Sequence, residues 1–456
     1  MSGIHFTRIA ALLTALVLTV PLFAARGDAD FTRFVALGDS YGAGVVNASL
    51  NERHQIHSWP AIIARQAGAP LFVQPLVTYP GIGPELELVD VLSFPPVIRP
   101  ATGTVTIDVS YPAPYNNLSI PGAAVQHMTT LTGAQQPTNT PTAFAQFILR
   151  GLGTPVQQAI ALHPTFIAVW IGGNDLLGAV LSGTPAALTP VETFRTAYNA
   201  MLDQLVAGAP SAGMVVGNLP TTPAALPLLT TVPPVIINPA TREPLLIGGN
   251  PVFLVADLGG GNIGQLPPGS VVLLTAAGKV AQGFGIPPAL ATQPPFNQLP
   301  GAGQPLSDAD VLTPDEQVQI IARVAEYNQI IQQAAQQRDI PVADINALFN
   351  RFAAGFHVGP FEFGPEYITG GIFSFDGVHL TDLGYMFFAN EYIRTINRAY
   401  DESIPVAGLW QYFANNEPGT TASGDGTRWT LSDEAAASIL RFATPLPKRR
   451  LRGATH

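Results

Sequence analysis

The chain has no cysteine among its 456 residues. Disulfides, thiolate zinc sites, cysteine nucleophiles and a lipidated N-terminal cysteine are thereby excluded together. Charge is scarce too, with Asp, Glu, Lys and Arg making up 11% of the chain, against about a quarter in ordinary domains. Such a surface must rely on Thr, Gln, Asn, Ser, Gly and Pro. The net charge is −10 with no internal basic stripe, which argues against nucleic acid as a partner. Internal repeats are absent as well. What is abundant is apolar residues, at 47%. That is enough for a sizeable core, in one large domain or two to three ordinary ones.

The N-terminus reads as an export signal. Arg8 precedes an uncharged run from Ile9 to Ala25, followed by small residues suited to cleavage near Gly27 or Ala29. The run of 17 residues lies at the short limit for a membrane span, so cleavage is expected ahead of a permanent anchor. Removing residues 1–27 takes away two arginines and no acids, moving the net charge from −10 to −12. A secreted, periplasmic or cell-envelope location is the expectation.

Downstream, short apolar runs alternate with helical patterns. Strands are expected at Phe34–Leu37, Phe166–Trp170, Met214–Gly217 and Val342–Ile345, and helices at Trp59–Gln66, Thr142–Leu162, Pro190–Ala207 and Pro314–Gln337. The last helix has the best local support. Thr313 and Glu316 make a capping box, Pro314 takes the first position, and Val318, Ile321, Val324 and Ile331 recur at helical spacing. Thr189 before Pro190 repeats that start in weaker form. The alternation predicts crossover units on a parallel sheet. Two stretches break it, residues 71–115 and the Pro/Gly-dense 228–306, with strand-like pieces at Thr104–Ser110, Val252–Ala256 and Val271–Thr275. Loops this long are either rims and lids of a site or surface decoration. A tail from about Ser403 ends in Lys448, Arg449, Arg450 and Arg452, as a solvated terminus would.

Chemistry enters at Gly38-Asp39-Ser40, immediately after the apolar run Phe34–Leu37. A serine where a buried strand breaks into a turn can hold its hydroxyl out of the core, and Gly38 and Gly42 would permit the bend. The stretch Gly38-Asp39-Ser40-Tyr41-Gly42 also fits the G-x-S-x-G elbow of α/β-hydrolases. A plain loop is the competing reading. A nucleophilic serine needs a base, and the base needs an orienting group. Of eight histidines, His54, His57, His163 and His357 look isolated from paired acids or sit beside prolines and turns. His127 follows Pro121-Gly122 without a neighbouring carboxylate. His379 follows Asp376 by three residues across Gly377, an offset at which the aspartate can fix the imidazole tautomer. Gly172-Gly173-Asn174-Asp175 follows the run ending at Trp170. An asparagine amide there, or a backbone N–H at Gly122, can donate to a developing oxyanion. Each of these stretches also reads as an ordinary turn. Gly259-Gly260-Gly261-Asn262-Ile263-Gly264 matches G-x-G-x-x-G, but Pro267-Pro268 follows where a dinucleotide site needs a helix, so no nucleotide is implied.

Taken in order, Gly38-Asp39-Ser40, Gly122, Gly172-Gly173-Asn174-Asp175 and Asp376-x-x-His379 resemble the four blocks of the SGNH, or GDSL, hydrolase family. The resemblance spans roughly residues 31–402, with Tyr41 in place of the leucine of the name motif and a divergent second block. It implies an α/β flavodoxin-like three-layer sandwich with a central parallel sheet, residues 28–402, carrying the two insertions. A signal peptide (1–27) would precede it, and a C-terminal extension (403–456) would follow. It further implies Ser40 as nucleophile, His379 as base and Asp376 as its orienter. The oxyanion hole would be the Ser40 and Gly122 N–H groups with the Asn174 side chain. Neither cofactor nor metal is called for. The α/β-hydrolase rival fares worse on spacing, because there the elbow follows several strands and acid and histidine come from separate loops. The expected activity is cleavage of carboxylic esters, as an esterase or lipase, on an acyl-ester small molecule or lipid. Transient contact with a membrane or lipid surface would suit such a substrate. Polysaccharide acetylesterase is the alternative with the same triad, and a non-catalytic envelope binding protein is the alternative of another class.

Overall fold

The computed structural model describes residues 25–90, 96–107, 109–221 and 225–409. The hydrophobic run of the expected signal and the basic C-terminal residues lie outside these. The elements that build the fold are β1 (Phe34–Gly38), α1 (Ser40–Ala43), α2 (Trp59–Gln66), α3 (Thr140–Ile148) and α4 (Pro155–Ala161). Then come β2 (Phe166–Trp170), α5 (Asn174–Ser182), α6 (Val191–Gly208), β3 (Gly213–Gly217), α7 (Pro314–Gln336), β4 (Val342–Ala343), α8 (Ile345–Ala354) and α9 (Asp382–Tyr400).

The four strands form one parallel sheet in the order β1-β2-β3-β4. Asn117 bridges Ala36 in parallel on the free side of β1, and the N–H groups of Leu118 and Ile120 donate to Ala36 and Gly38. Residues 116–120 therefore act as an irregular outer strand, giving chain order 2-1-3-4-5, the flavodoxin-like arrangement. β1, β2 and β3 are buried at every residue, as strands covered on both faces must be. One face is covered by α2, α8 and α9, where Trp59 stacks on Tyr392 at 4.7 Å between ring centroids. The other carries α4, α6 and α7, where Phe194 stacks on Tyr327 at 4.1 Å. Each such buried aromatic contributes about 1.5–3 kcal/mol through area removed from water.

Strand expectations at β1, β2 and β3 hold to within one residue, and the Thr313–Glu316 capping box forms as read. Elsewhere local chemistry moved the boundaries. The single helix expected over Thr142–Leu162 is two, α3 and α4. Arg150, Gly151 and Gly153 take positive φ between them, and Thr154 opens α4 with its own capping box to Gln157. The fourth strand stops at Ala343 because Asp344 caps α8 through the Ala347 N–H. Thr189 does not cap α6; Pro190 holds that place, while the Thr189 carbonyl accepts from Tyr327 and Arg323. Among the described residues of Thr104–Ser110 no strand forms; Ile107 bridges Val77 and Thr106 bonds Thr78.

The second insertion packs a core of its own, from Val232 through Leu254 and Phe296 to Val311. Where strands are expected at Val252–Ala256 and Val271–Thr275, the insertion forms Val255–Asp257 and Val271–Val272, shifted and shortened. The glycine tract turns the hairpin from Val255–Asp257 to Ile263–Gln265, with Asp257 accepting from the Gly259 and Gly261 N–H groups. Among the described residues no helix is long and apolar enough to cross a membrane.

Candidate active site

Parallel strands present their carboxyl ends together, and the crevice lies where successive crossovers leave the sheet in opposite directions. Here that point falls between β1 and β2. The chain from β1 turns directly into Ser40, and the chain from β2 turns through Gly172-Gly173 into Asn174. Gly38 and Gly42 are needed for space rather than for their backbone angles. A Cβ on Gly38 would stand 2.8 Å from the Trp170 carbonyl oxygen, and one on Gly42 would collide with the Ser119 side chain. The positive φ that ends α1 belongs to Gly44, at 85°.

Ser40, His379 and Asp376 meet across more than three hundred residues of chain. Ser40 Oγ lies 2.8 Å from His379 Nε2, and His379 Nδ1 lies 3.0 Å from Asp376 Oδ2. Ser40 is 8% exposed, so the hydroxyl is sheltered yet reachable. Asp376 Oδ1 accepts the N–H groups of Val378 and His379, both at 2.8 Å, closing a tight turn at Gly377, whose φ is 73°. Asp376 Oδ2 accepts a further N–H from Ala48 at 2.6 Å. Burial alone would raise the Asp376 pKa. The His379 charge and hydrogen bond, then these backbone donors, outweigh it and hold the carboxyl well below the usual carboxylate range. An ionised Asp376 only accepts, so His379 carries its proton on Nδ1 and leaves Nε2 to accept from Ser40.

On the opposite side, Gly122 takes a φ of 80°, two residues after Ile120 ties the outer strand to Gly38. Among the described residues, neither the Ser40 N–H nor the Gly122 N–H has an acceptor within the protein. Asn174 Nδ2 donates to the Ala123 carbonyl at 3.1 Å and reaches Asp39 Oδ2 at 3.4 Å. One amide hydrogen is thus committed to the loop after Gly122, and the other is held only loosely. Burial pushes Asp39 up to about 7, against the opposing effects of the Tyr41 N–H and the His379 charge. Burial likewise raises the neighbouring Asp175 to about 6.

Several residues around the site escaped sequence reasoning. The Tyr41 hydroxyl donates to the Val378 carbonyl at 2.6 Å and clamps the histidine loop from the Ser40 side. Asn47 and Ala48 both take positive φ. Asn47 donates its N–H to Ser374 and accepts the Phe375 N–H, so the segment cradles the loop that carries Asp376. Asn at a left-handed position is a readable signal, but nothing in the sequence marks Ala48. Asp175 Oδ2 accepts the Val125 N–H at 2.9 Å and fixes the Gly122 loop. Tyr41→Phe is expected to lower kcat severalfold, because losing one such bond costs about 1 kcal/mol. Steady-state kinetics alongside a melting curve will check that.

The other histidines divide. His54 is not isolated: its ring is 1% exposed, with Nδ1 at 2.9 Å from Asp382 and Nε2 at 3.0 Å from Glu85. His127 accepts the Ala124 N–H through Nδ1 and, among the described residues, pairs with no carboxylate. His357 is exposed, 4.0 Å from Glu362 across a hairpin.

A serine, histidine and aspartate in one relay at the carboxyl end of a flavodoxin-like sheet define a hydrolase of the serine type. Residues 34–392 match the GDSL-like lipase/acylhydrolase family, and the chain belongs to it, as a carboxylic ester hydrolase. The α/β-hydrolase elbow does not apply, since Ser40 follows the first strand of the sheet and Asp376 and His379 share one turn. Among solved structures the chain is similar to a family 3 carbohydrate esterase from Clostridium thermocellum, at 12% identity and TM-score 0.32, covering 81% of this chain and 96% of that one. It is similar to phospholipase A1 from Streptomyces albidoflavus NA297, at 15% identity and TM-score 0.33, over 82% and 100% of the two chains. An extracellular lipase from Streptomyces rimosus stands at 15% identity and TM-score 0.33, over 80% and 98%. No curated protein matches the chain.

Proposed function

We propose that the protein is an exported esterase or lipase working through an acyl-enzyme on Ser40. Residues 28–402 would form the hydrolase domain after removal of residues 1–27. The observation that carries the reading is the unbroken relay from Ser40 through His379 to an ionised Asp376. Ser40 Oγ attacks the ester carbonyl carbon as its proton passes to His379 Nε2. The carbonyl oxygen becomes an oxyanion facing the free N–H groups of Ser40 and Gly122, with the loosely held Asn174 amide as third donor. The C–O bond to the alcohol then breaks, and His379 returns the proton to the leaving oxygen. Water repeats the cycle and frees the acid. Every step is served by groups of this chain.

Acyl or lipid esters suit a weakly charged, apolar chain better than a polysaccharide does. A sugar platform needs exposed aromatics; Trp59 and Trp170 are both buried, and Trp410 and Trp429 lie outside the described residues. Fluorophosphonate should label the wild-type protein and fail to label Ser40→Ala; labelling that survives the substitution overturns the assignment of the nucleophile. Asn174→Ala should cut kcat by about 10²–10³ with little change in melting temperature. Greater turnover of acetylated xylan than of nitrophenyl acyl esters would replace the lipase reading with the acetylesterase one.

A further inference from the structure

An open apolar groove of about 560 Å³ runs along α3, walled by Phe144 and Phe147 on one side and by Ile82, Ile107 and Val109 of the first insertion on the other. Its volume lies within the range of small-molecule sites. Ser40 is not part of its wall, yet both walls are tied to the site. At the start of α3, Thr140 and Pro141 press against Gly122, where a Cβ would approach them to 3.1–3.2 Å. Across the groove, Ile82 exchanges backbone hydrogen bonds with Leu50, two residues beyond the Ala48 N–H that donates to Asp376. At the far end the Arg150 guanidinium donates to the carbonyls of Tyr111 and Ala113 and lies over the Tyr115 ring at 4.2 Å. From Ala143 to Ile148 the helix rises roughly 7.5 Å, and Arg150 stands two residues past its end, so the groove offers the reach of a medium-length acyl chain.

We propose that this groove receives the acyl chain of the ester, entering beside Gly122 and ending at Arg150, and that it sets the chain-length preference. The inference rests on the ester-hydrolase reading above. An acyl group whose carbonyl oxygen points at the Gly122 N–H has its tail beside Thr140, at the mouth of the groove. Among the described lining residues Arg150 carries charge at the far end and Gln146 is polar, so between Phe144, Phe147, Ile82 and Ile107 each methylene is held by burial. The first insertion is then a specificity wall, since three of its apolar side chains form one side of the groove.

Burial of a methylene is worth about 0.8 kcal/mol, so kcat/KM should rise about fourfold per methylene until the groove is full. Nitrophenyl acetate, butyrate, octanoate and palmitate supply the series. Ala143 is exposed and lines the groove, so Ala143→Trp fills it from a position that takes no part in the core. Val109→Asp places a charge on the facing wall, at a residue 49% exposed. Each variant should lower the octanoate-to-acetate ratio of kcat/KM at least tenfold. Calorimetric binding of octanoate to Ser40→Ala protein, weakened to the same degree by Ala143→Trp, reads the groove without turnover. A flat wild-type series, or an octanoate-to-acetate ratio unmoved by both substitutions, overturns the groove assignment while leaving the hydrolase reading intact. Absent fluorophosphonate labelling with octanoate still bound overturns the hydrolase reading and keeps the groove.

Discussion

Asp376→Asn is expected to reduce kcat by about 10⁴, as the equivalent change does in serine proteases, where it leaves the geometry in place but selects the wrong imidazole tautomer. The reason here is a count of donors. The Asp376 carboxylate accepts four N–H groups, from Val378, His379, Ala48 and the His379 ring. An asparagine has one accepting oxygen and one donating nitrogen. If the nitrogen replaces Oδ1, it faces two backbone N–H groups. If it replaces Oδ2, it faces Ala48 N–H and forces His379 to accept on Nδ1, which puts the ring proton on Nε2, where Ser40 needs an acceptor. Asp376→Asn should therefore cripple turnover in either orientation, while substrate binding measured in the variant changes little. A kcat within tenfold of wild type would remove Asp376 from the relay.

The second large effect concerns stability rather than turnover. His54 is buried between Asp382 and Glu85. Burial lowers its pKa, but the two carboxylates together outweigh burial and raise it from 6.5 to about 10. Glu85 and Asp382 are lowered in exchange, despite their own burial. A base whose pKa is raised on folding stabilises fully below its unfolded value and loses that contribution as pH climbs through the folded one. The lowered carboxylates act in the opposite sense, losing their contribution as pH falls below the ordinary carboxylate range. The cluster is thus at full strength between roughly pH 5 and 6.5 and weakens toward pH 10. His54→Gln should cost about 3–5 kcal/mol near pH 6, because two buried carboxylates lose their counter-charge. It should also flatten the alkaline decline of melting temperature. If the variant melts with an unchanged alkaline slope, the decline has another source.

Legibility differed by kind of signal. Ser40, His379, Asp376 and Asn174 stand out in the sequence because each type is scarce at a strand end or beside a partner at short offset. The structure brings them together at the switch point of the sheet. α9 was missed altogether, although it is among the longest helices described. Its 19 residues include 13 that are buried, and its solvent-reaching charges Glu391, Arg394 and Arg398 fall only in the second half, so the first half shows no period. His54 was passed over because its acids lie 31 and 328 residues away, a separation that no local pattern encodes. Tyr41 was seen only as a departure from a motif, since the carbonyl it bonds belongs to a loop over three hundred residues downstream. In each case a long-range contact, not local propensity, decided the outcome.

The histidine loop leans on both insertions. Glu85 of the first reaches Asn47 and His54, and the Leu228 N–H of the second donates to the Gly377 carbonyl at 2.9 Å. For laboratory evolution this splits the insertions into ground that must stay fixed and ground open to change. Libraries that trim residues 71–115 wholesale would strand a charged histidine in the core and erase function along with any gain. Diversity confined to Ile82, Ile107 and Val109 touches none of those props, so altered selectivity is reachable there by single steps from a folded, working parent.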